Sequence, residues 1–515
     1  MEISRHPIFK TRSPRGFLTL LTWLKSLWTP PTPPTPPHVA QALRLIRARY
    51  DAAVTNDENR RHWANADNLS ANAANNPDVR RLLRNRARYE VANNSYARGI
   101  VLTLANDVIG TGPRLQMLTE NAKVNRQIEQ EWMAWSKAVG LPEMLRTLRM
   151  SRASDGEGFA TLINNPALPT PVQLDLKLIE ADQVTTPDLF GNEPNALDGI
   201  VFDQYGNPAE YHVLKQHPGD PTGTLYGDYE HVPAQNVIHY FRRDRAGQGR
   251  GVPDITPALP LFAHLRRYTL AVITAAEIAA IPGGVLYTDA PANGEAESVE
   301  PMDLIELERG MLMTMPGGWK MSQMEASQPT TTYGEFKREI LNEIARCLNM
   351  PFAISAGNSS GYNYASGRLD HQMYFKAIRV EQAHLEVVVL DRILNAWLAE
   401  AALIQGYLIS RTNLEQVPHT WFFDGHEHVD PLKESSAQAL RLANHTTTYA
   451  DEYARRGLDW ETQLRQRAKE LELMNELGLT LPGQSPDPTT PDSNKSDQNP
   501  EDSDAETADE TVPAD

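Results

Sequence analysis

The sequence has only one cysteine, Cys347, among its 515 residues. A single thiol excludes an internal disulfide framework and any zinc site built on two or more cysteines, and its natural setting is a reducing compartment. Long apolar runs are lacking as well: the longest, Leu270 to Ile281, spans 12 residues and contains Glu277. Because a bilayer-spanning helix needs about 18–20 apolar residues, no transmembrane helix is expected.

Basic charge is scarce beyond the first 88 residues. Residues 1–88 carry 15 Lys and Arg against 6 Asp and Glu (+9), whereas residues 482–515 carry ten acidic side chains and only Lys495 (−9). These two ends cancel, so the whole formal net charge of −17 belongs to residues 89–481. An acidic body argues against tight binding of nucleic acid, because binding to phosphates depends on Lys and Arg.

The two ends of the chain differ from its body in composition. Residues 17–28 (FLTLLTWLKSLW) look a little like a signal peptide, but Lys25 interrupts them and TPPTPPTPP follows in place of a small-residue cleavage site. We therefore predict an amphipathic arm with a stiff polyproline spacer over residues 1–38, and secretion is the weaker alternative. Residues 482–515 have too few apolar side chains to order themselves, which predicts a disordered acidic tail.

Apolar side chains recur at helical spacing through most of the body, and short strand-like runs are concentrated in residues 159–241, with two more near Ile409 and Trp421. Helices are predicted over about 97–109, 123–139, 257–281, 333–348, 365–402, 431–443 and 460–477. Because no helix separates the strand-like runs, their sheet should be antiparallel or mixed and the fold class α+β. Trp132 and Trp135 are expected in the core. The helix at 365–402 would be roughly 55 Å long, which indicates an elongated protein.

A possible nucleophile lies in Gly357-Asn-Ser-Ser-Gly361, which fits the G-x-S-x-G elbow of α/β-hydrolases with Ser359 at its centre. Asp391 or Asp424, followed by His426 or His445, would complete a triad in hydrolase order. The elbow requires a strand before it, a helix directly after it and a parallel sheet around it. Because the sequence indicates none of these, no enzymatic activity is expected, and a serine hydrolase stays an alternative.

Two further motifs have structural interpretations. His426-Glu-His428, with His419, Asp424 and Asp430, could gather metal ligands, but the pattern favours a solvated polar strand edge. Gly247-Gln-Gly-Arg-Gly251 lacks the Gly-Lys-Ser/Thr of a phosphate-binding loop, so a turn from the sheet into the next helix is predicted. Cys347 lies on an apolar helical stripe and should be a buried small hydrophobe. No metal or cofactor is expected.

Several segments together form a distinctive series. They are residues 88–112 (RYEVANNSYARGIVLTLANDVIGTG), Asp155-Gly-Glu-Gly-Phe159, Gly247-Gln-Gly-Arg-Gly-Val-Pro253, residues 333–376 (YGEFKREILNEIARCLNMPFAISAGNSSGYNYASGRLDHQMYFK), Trp421-Phe-Phe-Asp-Gly425 and Asp430-Pro431-Leu-Lys433. In this order they resemble the lambda-like portal proteins of tailed bacteriophages: an N-terminal helix, the wing hairpin, the entry to a first stem helix, a second stem helix with tunnel loop and tunnel helix, and a C-terminal pattern. The resemblance covers about residues 40–480.

The resemblance implies an α+β portal fold in a ring oligomer. Its parts would be the arm and spacer (1–38), a helical and β wing (39–256), a first stem helix (257–281), an inserted α/β clip (282–332), a second stem helix (333–350), a tunnel loop, long tunnel helix and return to the wing (351–430), helices of a C-terminal crown (431–481) and the acidic tail (482–515).

The same resemblance implies a role in the virion. A ring of twelve subunits at one capsid vertex, assembled in the host cytoplasm, would contact the major capsid protein and pass double-stranded DNA during packaging and ejection. It would bind the terminase large subunit and later a head-completion or connector protein. A head-assembly scaffold that does not pass DNA is a further alternative.

Individual residues follow from the carried-over parts. DNA contact is expected from neutral side chains of the tunnel loop: Ser355, Asn358, Ser359, Ser360, Tyr362 and Asn363; the bland alternative is an ordinary surface loop. Arg368 and Lys376 would contact phosphate sparsely or form salt bridges between subunits, and the sequence leaves this choice open. Glu306, Glu308 and Arg309 are expected at the docking rim of the clip.

Overall fold

The structure is a computed structural model that describes residues 57, 59–186, 195–221, 228–280, 284–288, 319–323, 330–361, 363–407, 417–425 and 431–479. The chain divides into two compact units, Met1–Ser70 and Ala71–Asp515. In the first unit, residues 59–65 form turns. The elements below all belong to the second unit. The predicted arm and acidic tail lie outside the described residues.

The N-terminal part of the second unit is helical. Its helices are α1 (Ala71–Ala74), α2 (Pro77–Asn93), α3 (Ser95–Ile109), α4 (Ala122–Val139) and α5 (Leu141–Asp155). Asparagine side chains begin three of them: Asn76 Oδ1 accepts the Val79 amide at 3.0 Å, Asn94 Oδ1 accepts the Tyr96 amide at 3.1 Å, and Asn121 Oδ1 accepts two amides of the first turn of α4. Gly140, in the left-handed conformation, ends α4 and leads directly into α5, a helix that the sequence analysis does not predict.

The predicted β region is confirmed, and every described strand pair is antiparallel. The strands are β1 (Arg114–Met117), β2 (Glu157–Asn164), β3 (Leu174–Ile179), β4 (Ala196–Leu197), β5 (Ile200–Phe202), β6 (Pro208–Leu214), β7 (Tyr229–Pro233), β8 (Val237–Phe241), β9 (Gly284–Thr288), β10 (Trp319–Gln323) and β11 (His419–Phe422). They form sheets in the orders β3-β2-β8 and β4-β5-β6-β7 and the pairs β1-β11 and β9-β10.

Two helices enclose the inserted segment, as predicted. These are α6 (Leu259–Ala280) and α7 (Thr330–Arg346), and the β9-β10 pair lies between them along the chain. The helices pack through aromatic side chains: the ring centroids of Tyr268 and Phe336 are 4.7 Å apart, and the hydroxyls of Thr269 and Tyr333 are 3.1 Å apart. The remainder of the predicted clip lies outside the described residues.

The longest helical segment also matches its prediction. After the short helix α8 (Phe352–Ala356), α9 (Tyr364–Leu385) continues through one π-helical turn, Glu386–Leu390, into α10 (Asp391–Leu403). The backbone stays in the right-handed helical region throughout the junction. We call residues 364–403 the long helix. Three C-terminal helices follow: α11 (Pro431–Ala443), α12 (Tyr449–Ala454) and α13 (Trp460–Glu476).

Tryptophans form the centre of the main core. Trp132 and Trp135, predicted as core residues, are at most 2% exposed, and the Trp132 ring lies 5.8 Å from that of Trp397 in the long helix and 5.5 Å from that of Trp421 in β11. Cys347 is partly buried against this core, and burial raises the pKa of its thiol to about 11. The thiol is therefore protonated at neutral pH, as expected for a packing residue.

The segment Asp155–Phe159 corrects one expectation. It resembles a hairpin in sequence, yet Asp155 ends α5 and β2 begins at Glu157, so the turn joins a helix to a strand. Gly156 permits this junction because it adopts a φ of +89°. A Cβ on Gly251 would collide with the Gly156 carbonyl, so two glycines are needed where these segments meet.

Candidate functional site

The candidate tunnel loop is anchored at both ends and open in the middle. Gly357, with a φ of +60°, ends α8 by donating its amide to the Ala353 and Ile354 carbonyls. Asn363 caps the long helix, since its Oδ1 accepts the Ser366 amide at 2.8 Å. Between these caps the described residues are exposed. The loop therefore offers side chains to a partner while its ends keep their positions.

The structure separates the predicted tunnel-loop residues into three groups. Asn358, Ser359, Ser360 and Asn363 are exposed. Tyr362 lies outside the described residues. Ser355 corrects the prediction: it belongs to α8, is only 6% exposed, and its hydroxyl donates to the Phe352 carbonyl at 3.0 Å. Ser355 is inward-facing because the loop starts two residues later than its small-residue composition suggested.

The two predicted basic contacts lie on the long helix. Arg368 and Lys376 are both exposed, and neither forms an ion pair with another residue that the structure describes. Lys376 also lines a cavity of about 960 Å³ between the long helix, β8 and the segment after α7. The side chains of Arg368 and Lys376 are thus available to bind an external anion or acidic side chain. The predicted clip residues Glu306, Glu308 and Arg309 lie outside the described residues.

A buried ionic cluster attaches the long helix to the rest of the subunit. Arg149 of α5 bonds to Glu381 of the long helix and lies 3.1 Å from Asp254. Arg152, one turn further along α5, lies 3.3 Å from Glu381 and 3.5 Å from Asp254. The Tyr240 hydroxyl donates to Glu381 at 3.0 Å. Because both arginines and Asp254 are at most 4% exposed, the cluster satisfies charges that burial would otherwise penalise.

Hydrogen bonds reinforce this attachment. The Tyr374 hydroxyl donates to Asp107 of α3 at 2.7 Å, and Tyr374 is fully buried. Burial and the neighbouring Asp107 carboxylate raise the pKa of Tyr374. The Gln382 amide donates to the Val108 carbonyl at 3.1 Å. One face of the long helix is thus held along at least two turns by α3, α5 and β8.

The opposite face of the long helix is apolar and exposed. Leu369, Met373, Val380 and Val387 repeat at intervals of four and seven residues and are 63–66% exposed. Residues seven apart on a helix lie nearly above one another, so these four form one continuous stripe. We call it the exposed stripe. Further along the same helix, Leu390 and Leu394 are fully buried in the subunit core.

The hydrolase alternative finds no support in the loop's surroundings. Ser359 follows a short helix and not a strand, and the described strands form no parallel pair. Asp391 accepts hydrogen bonds from His419 at 3.1 Å and from the Trp421 indole at 2.9 Å, so its side chain is already bonded to two residues of β11. His445 lies in the turn after α11, and His426 lies outside the described residues.

The described residues of the predicted polar edge near β11 are hydrogen-bonded to other parts of the subunit. His419 pairs with Asp391 and the Val417 carbonyl, and Asp424 accepts the Thr111 hydroxyl at 2.8 Å. These contacts attach β11 to the first residue of α10, and they attach Asp424, just after β11, to the turn that follows α3. His426-Glu-His428 and Asp430 lie outside the described residues.

Comparison with known proteins decides the family. The family model "Phage portal protein, lambda family" matches residues 57–382. The chain belongs to the lambda family of phage portal proteins. A "Probable portal protein" of Halomonas phage phiHAP-1 is 25% identical over 430 residues, which are 78% of this chain and 82% of that portal. The match includes the candidate tunnel loop and most of α9, so the resemblance read from the sequence is confirmed.

Solved structures similar to this portal come from gene transfer agent particles. One, described as the neck of the native particle computed with C12 symmetry, has a TM-score of 0.44 and 15% identity over 72% of this chain and 92% of its own. Another, the neck of the empty particle computed with C6 symmetry, has a TM-score of 0.43 and 17% identity over the same shares. Portal proteins are structural components of the virion. Among the described residues, no helix is both long and apolar enough to cross a membrane.

The side chains that hold the long helix in place were not predicted from the sequence. Arg149, Arg152 and Glu381 lie between apolar residues that are buried on the same helices, such as Leu148 and Leu385. Charges placed within an apolar stripe are a signal of buried ion pairs, but the sequence does not say which charge pairs with which.

Proposed function

We propose that this portal assembles as a ring in which the exposed stripe of each subunit packs against its neighbour. The main support for this proposal is that four apolar side chains of the long helix are about two-thirds exposed, while the opposite face of the helix is attached to the subunit. Burying such side chains contributes roughly 1.5–3 kcal/mol each. A second copy of the chain is the natural partner, because a closed ring gives every stripe a neighbour.

The distance at which helices pack side by side is compatible with a ring of twelve long helices around DNA. Twelve helices side by side at about 10 Å make a ring about 38 Å across the helix axes, with roughly 27 Å inside and room for a duplex about 20 Å wide. Six helices would leave only about 10 Å and would exclude a duplex. The long helix would then be the tunnel helix.

DNA would meet the candidate tunnel loop at the narrowest point. The exposed Asn358, Ser359 and Ser360 offer hydrogen-bonding groups without fixed charge. A channel lined densely with Lys and Arg would hold phosphates tightly by counterion release, whereas moving DNA needs weak, replaceable contacts. Sparse contact with phosphate by Arg368 or Lys376, or a salt bridge to the next subunit, fits the same requirement.

The proposed ring also has binding partners. Residues 282–332 would form the clip, which binds the terminase large subunit during packaging and a head-completion protein afterwards. The ring contacts the major capsid protein at one vertex and assembles in the host cytoplasm. The β9-β10 pair between α6 and α7 supports the presence of a separate subdomain at this place in the chain.

Mass measurement and electron microscopy of the purified full-length protein test the assembly. We expect a ring of about twelve chains with an open axial channel. A monomer or a compact dimer at micromolar concentration would overturn the proposal. The same images show whether the channel is wide enough for a duplex.

Shortening the loop tests its contact with DNA. Replacing residues 358–361 by two glycines should leave ring assembly unchanged, because both capping residues, Gly357 and Asn363, are retained. Packaging in an in vitro assay should fall at least tenfold. The control is Ser359→Ala, which keeps the loop length and should package normally; loss of packaging in this control alone would favour a chemical role for Ser359.

A further inference from the structure

Three potential metal ligands lie on one face of the β6-β7 pair. Glu210 and His212 are two residues apart on β6, so their side chains point to the same side of the sheet. His231 lies directly opposite His212 in the antiparallel register of β7. Directly opposite residues of neighbouring strands are the closest side-chain pairs in a sheet. The backbone therefore brings the three side chains together.

The ligand atoms of this cluster are already close. One imidazole nitrogen of each histidine and one carboxylate oxygen of Glu210 all lie within 4.8 Å of one another. His212 Nε2 is 3.5 Å from Glu210 Oε1, and His231 Nδ1 is hydrogen-bonded to the same oxygen. His212 is 5% exposed, and Tyr229 flanks both rings at centroid distances of 5.7 and 5.1 Å. The cluster is thus half enclosed and open at His231.

The donor types select a transition metal. Zinc takes His nitrogen at about 2.0–2.1 Å and carboxylate oxygen at about 2.0–2.2 Å in a tetrahedral arrangement, which puts its ligand atoms roughly 3.3 Å apart. The separation of His212 from Glu210 is close to this value. A metal would take the place of the hydrogen bond between His231 and Glu210, since ligands bind in their deprotonated forms. Mg²⁺ and Ca²⁺ prefer oxygen ligands and do not suit two imidazoles.

A second cluster in the same part of the chain serves as a contrast. Glu180, Asp182 and His217 also bring their ligand atoms within 4.8 Å. Asp182, however, is paired with Arg84 at 2.8 Å and Arg88 at 2.7 Å. These guanidinium groups already supply the positive charge that a metal would bring. In the described part of the chain, no arginine or lysine forms a salt bridge with Glu210.

We propose that Glu210, His212 and His231 bind one Zn²⁺ ion per subunit, with water in the fourth position. The ion would link β7, the edge strand of its sheet, to β6 across the hairpin that joins them. Because β7 leads through Pro233 into β8, a bound ion would stiffen the connection between the two larger sheets.

Zinc titration of the untagged full-length protein, in competition with a chromophoric chelator, tests the site. We expect one Zn²⁺ bound per chain in the micromolar range or tighter at pH 7.5, and weaker binding at acidic pH, because protons compete with the metal for its ligands. His231→Ala should weaken the affinity at least tenfold, and Glu210→Gln should do the same without removing packing volume. Ca²⁺ should not compete.

His217→Ala is the matched control, because it removes a histidine from the second cluster. It should leave zinc affinity and stoichiometry unchanged. Cobalt gives an independent readout: the visible absorption of bound Co²⁺ should indicate four-coordination and disappear in His231→Ala. Absence of zinc binding to the wild-type protein, or binding that His231→Ala and Glu210→Gln leave unchanged, would overturn the proposal.

Discussion

The two faces of the long helix differ in the groups that contact them. On one face, Glu381 and Tyr374 are engaged by charged and polar groups of the same subunit. On the other, Met373 and Val380 are about two-thirds exposed. Both faces lie on the same turns of the same helix. This difference fits the proposed ring, in which folding of the subunit covers one face and a neighbouring subunit covers the other.

This division has a physical reason. Buried ion pairs need several partners placed within hydrogen-bonding distance, which a subunit's own fold provides. An apolar stripe needs only a complementary surface, so a neighbouring copy can cover it without matched charges. Changes on the first face should therefore alter the stability of the subunit, and changes on the second should alter the number of subunits in the assembly.

Glu381→Ala should give the largest loss of stability. It removes the carboxylate that Arg149, Arg152 and Tyr240 share, and leaves two arginines, each at most 4% exposed, with Asp254 as their remaining acidic partner. Removing one partner of a buried ion pair costs about 3–5 kcal/mol of unfolding free energy. Chemical denaturation of the wild type and the variant measures this difference.

Lys376→Ala is the control for this loss. It lies on the same helix, is exposed and forms no ion pair within the described residues, so the free energy of unfolding should change by less than about 0.5 kcal/mol. Equal losses in Glu381→Ala and Lys376→Ala would contradict the assignment of the ionic cluster as the attachment of the long helix.

Two carboxylates elsewhere in the subunit, Glu157 and Glu129, show how much basic partners change the charge of a buried acid. Burial would raise the pKa of Glu157, but Arg250 and a hydrogen bond from His239 hold it well below its usual range. Glu129 of α4 accepts the Met117 amide at 2.7 Å, and Asp459 and Glu461 are nearby. Burial raises the pKa of Glu129 to about 7. The same type of side chain is thus charged in one place and largely neutral below pH 7 in the other.

Glu129→Gln should therefore change the pH dependence of stability. The folded-state pKa is about 7 against an ordinary value of 4.5, so the unfolded state releases its proton first and the wild type loses stability as the pH rises from 4.5 to 7. The variant should be more stable by on the order of 2 kcal/mol at pH 8 and unchanged at pH 4. Urea unfolding at both pH values measures this; an equal effect at both would contradict the raised pKa.

The sequence predicted the elements whose periodicity is local. The long helix, the strands β2, β3, β5, β6 and β8 and the helices α6 and α7 follow from spacings of three to four or two residues. The strands β4 and β7 were not predicted. Helix α5 was missed, because Arg149 and Arg152 interrupt its apolar pattern and are buried only through partners far along the chain. Periodicity also could not tell that the stripe is exposed at Val380 and buried at Leu390.

The candidate site was predictable only in part. Small and polar residues do mark the loop, and Asn358 and Ser359 are exposed as expected. Ser355 is also small and polar, but it belongs to the short helix α8, because the neighbouring Phe352 and Ile354 pack against the core. The His212–His231 pair depends on strand register, which composition does not reveal.

Val380→Asp should change the stability of the subunit least of these variants, but it should abolish ring assembly. Val380 is 66% exposed, so an aspartate there remains solvated in the monomer and should change the free energy of unfolding by less than about 0.5 kcal/mol. In the ring the same carboxylate would be buried against a neighbour without a partner, a cost of several kcal/mol at every interface. Mass photometry at micromolar concentration should therefore show monomers.

Gln372→Asp is the matched control, because it places the same charge at an exposed position about 100° around the helix from Met373. Rings should persist in this variant. Rings in Val380→Asp would show that the exposed stripe is not the subunit interface, whereas unfolding of Val380→Asp would show that the stripe is already part of the subunit core. Only loss of the ring with retention of the fold separates a face completed by assembly from one completed by folding.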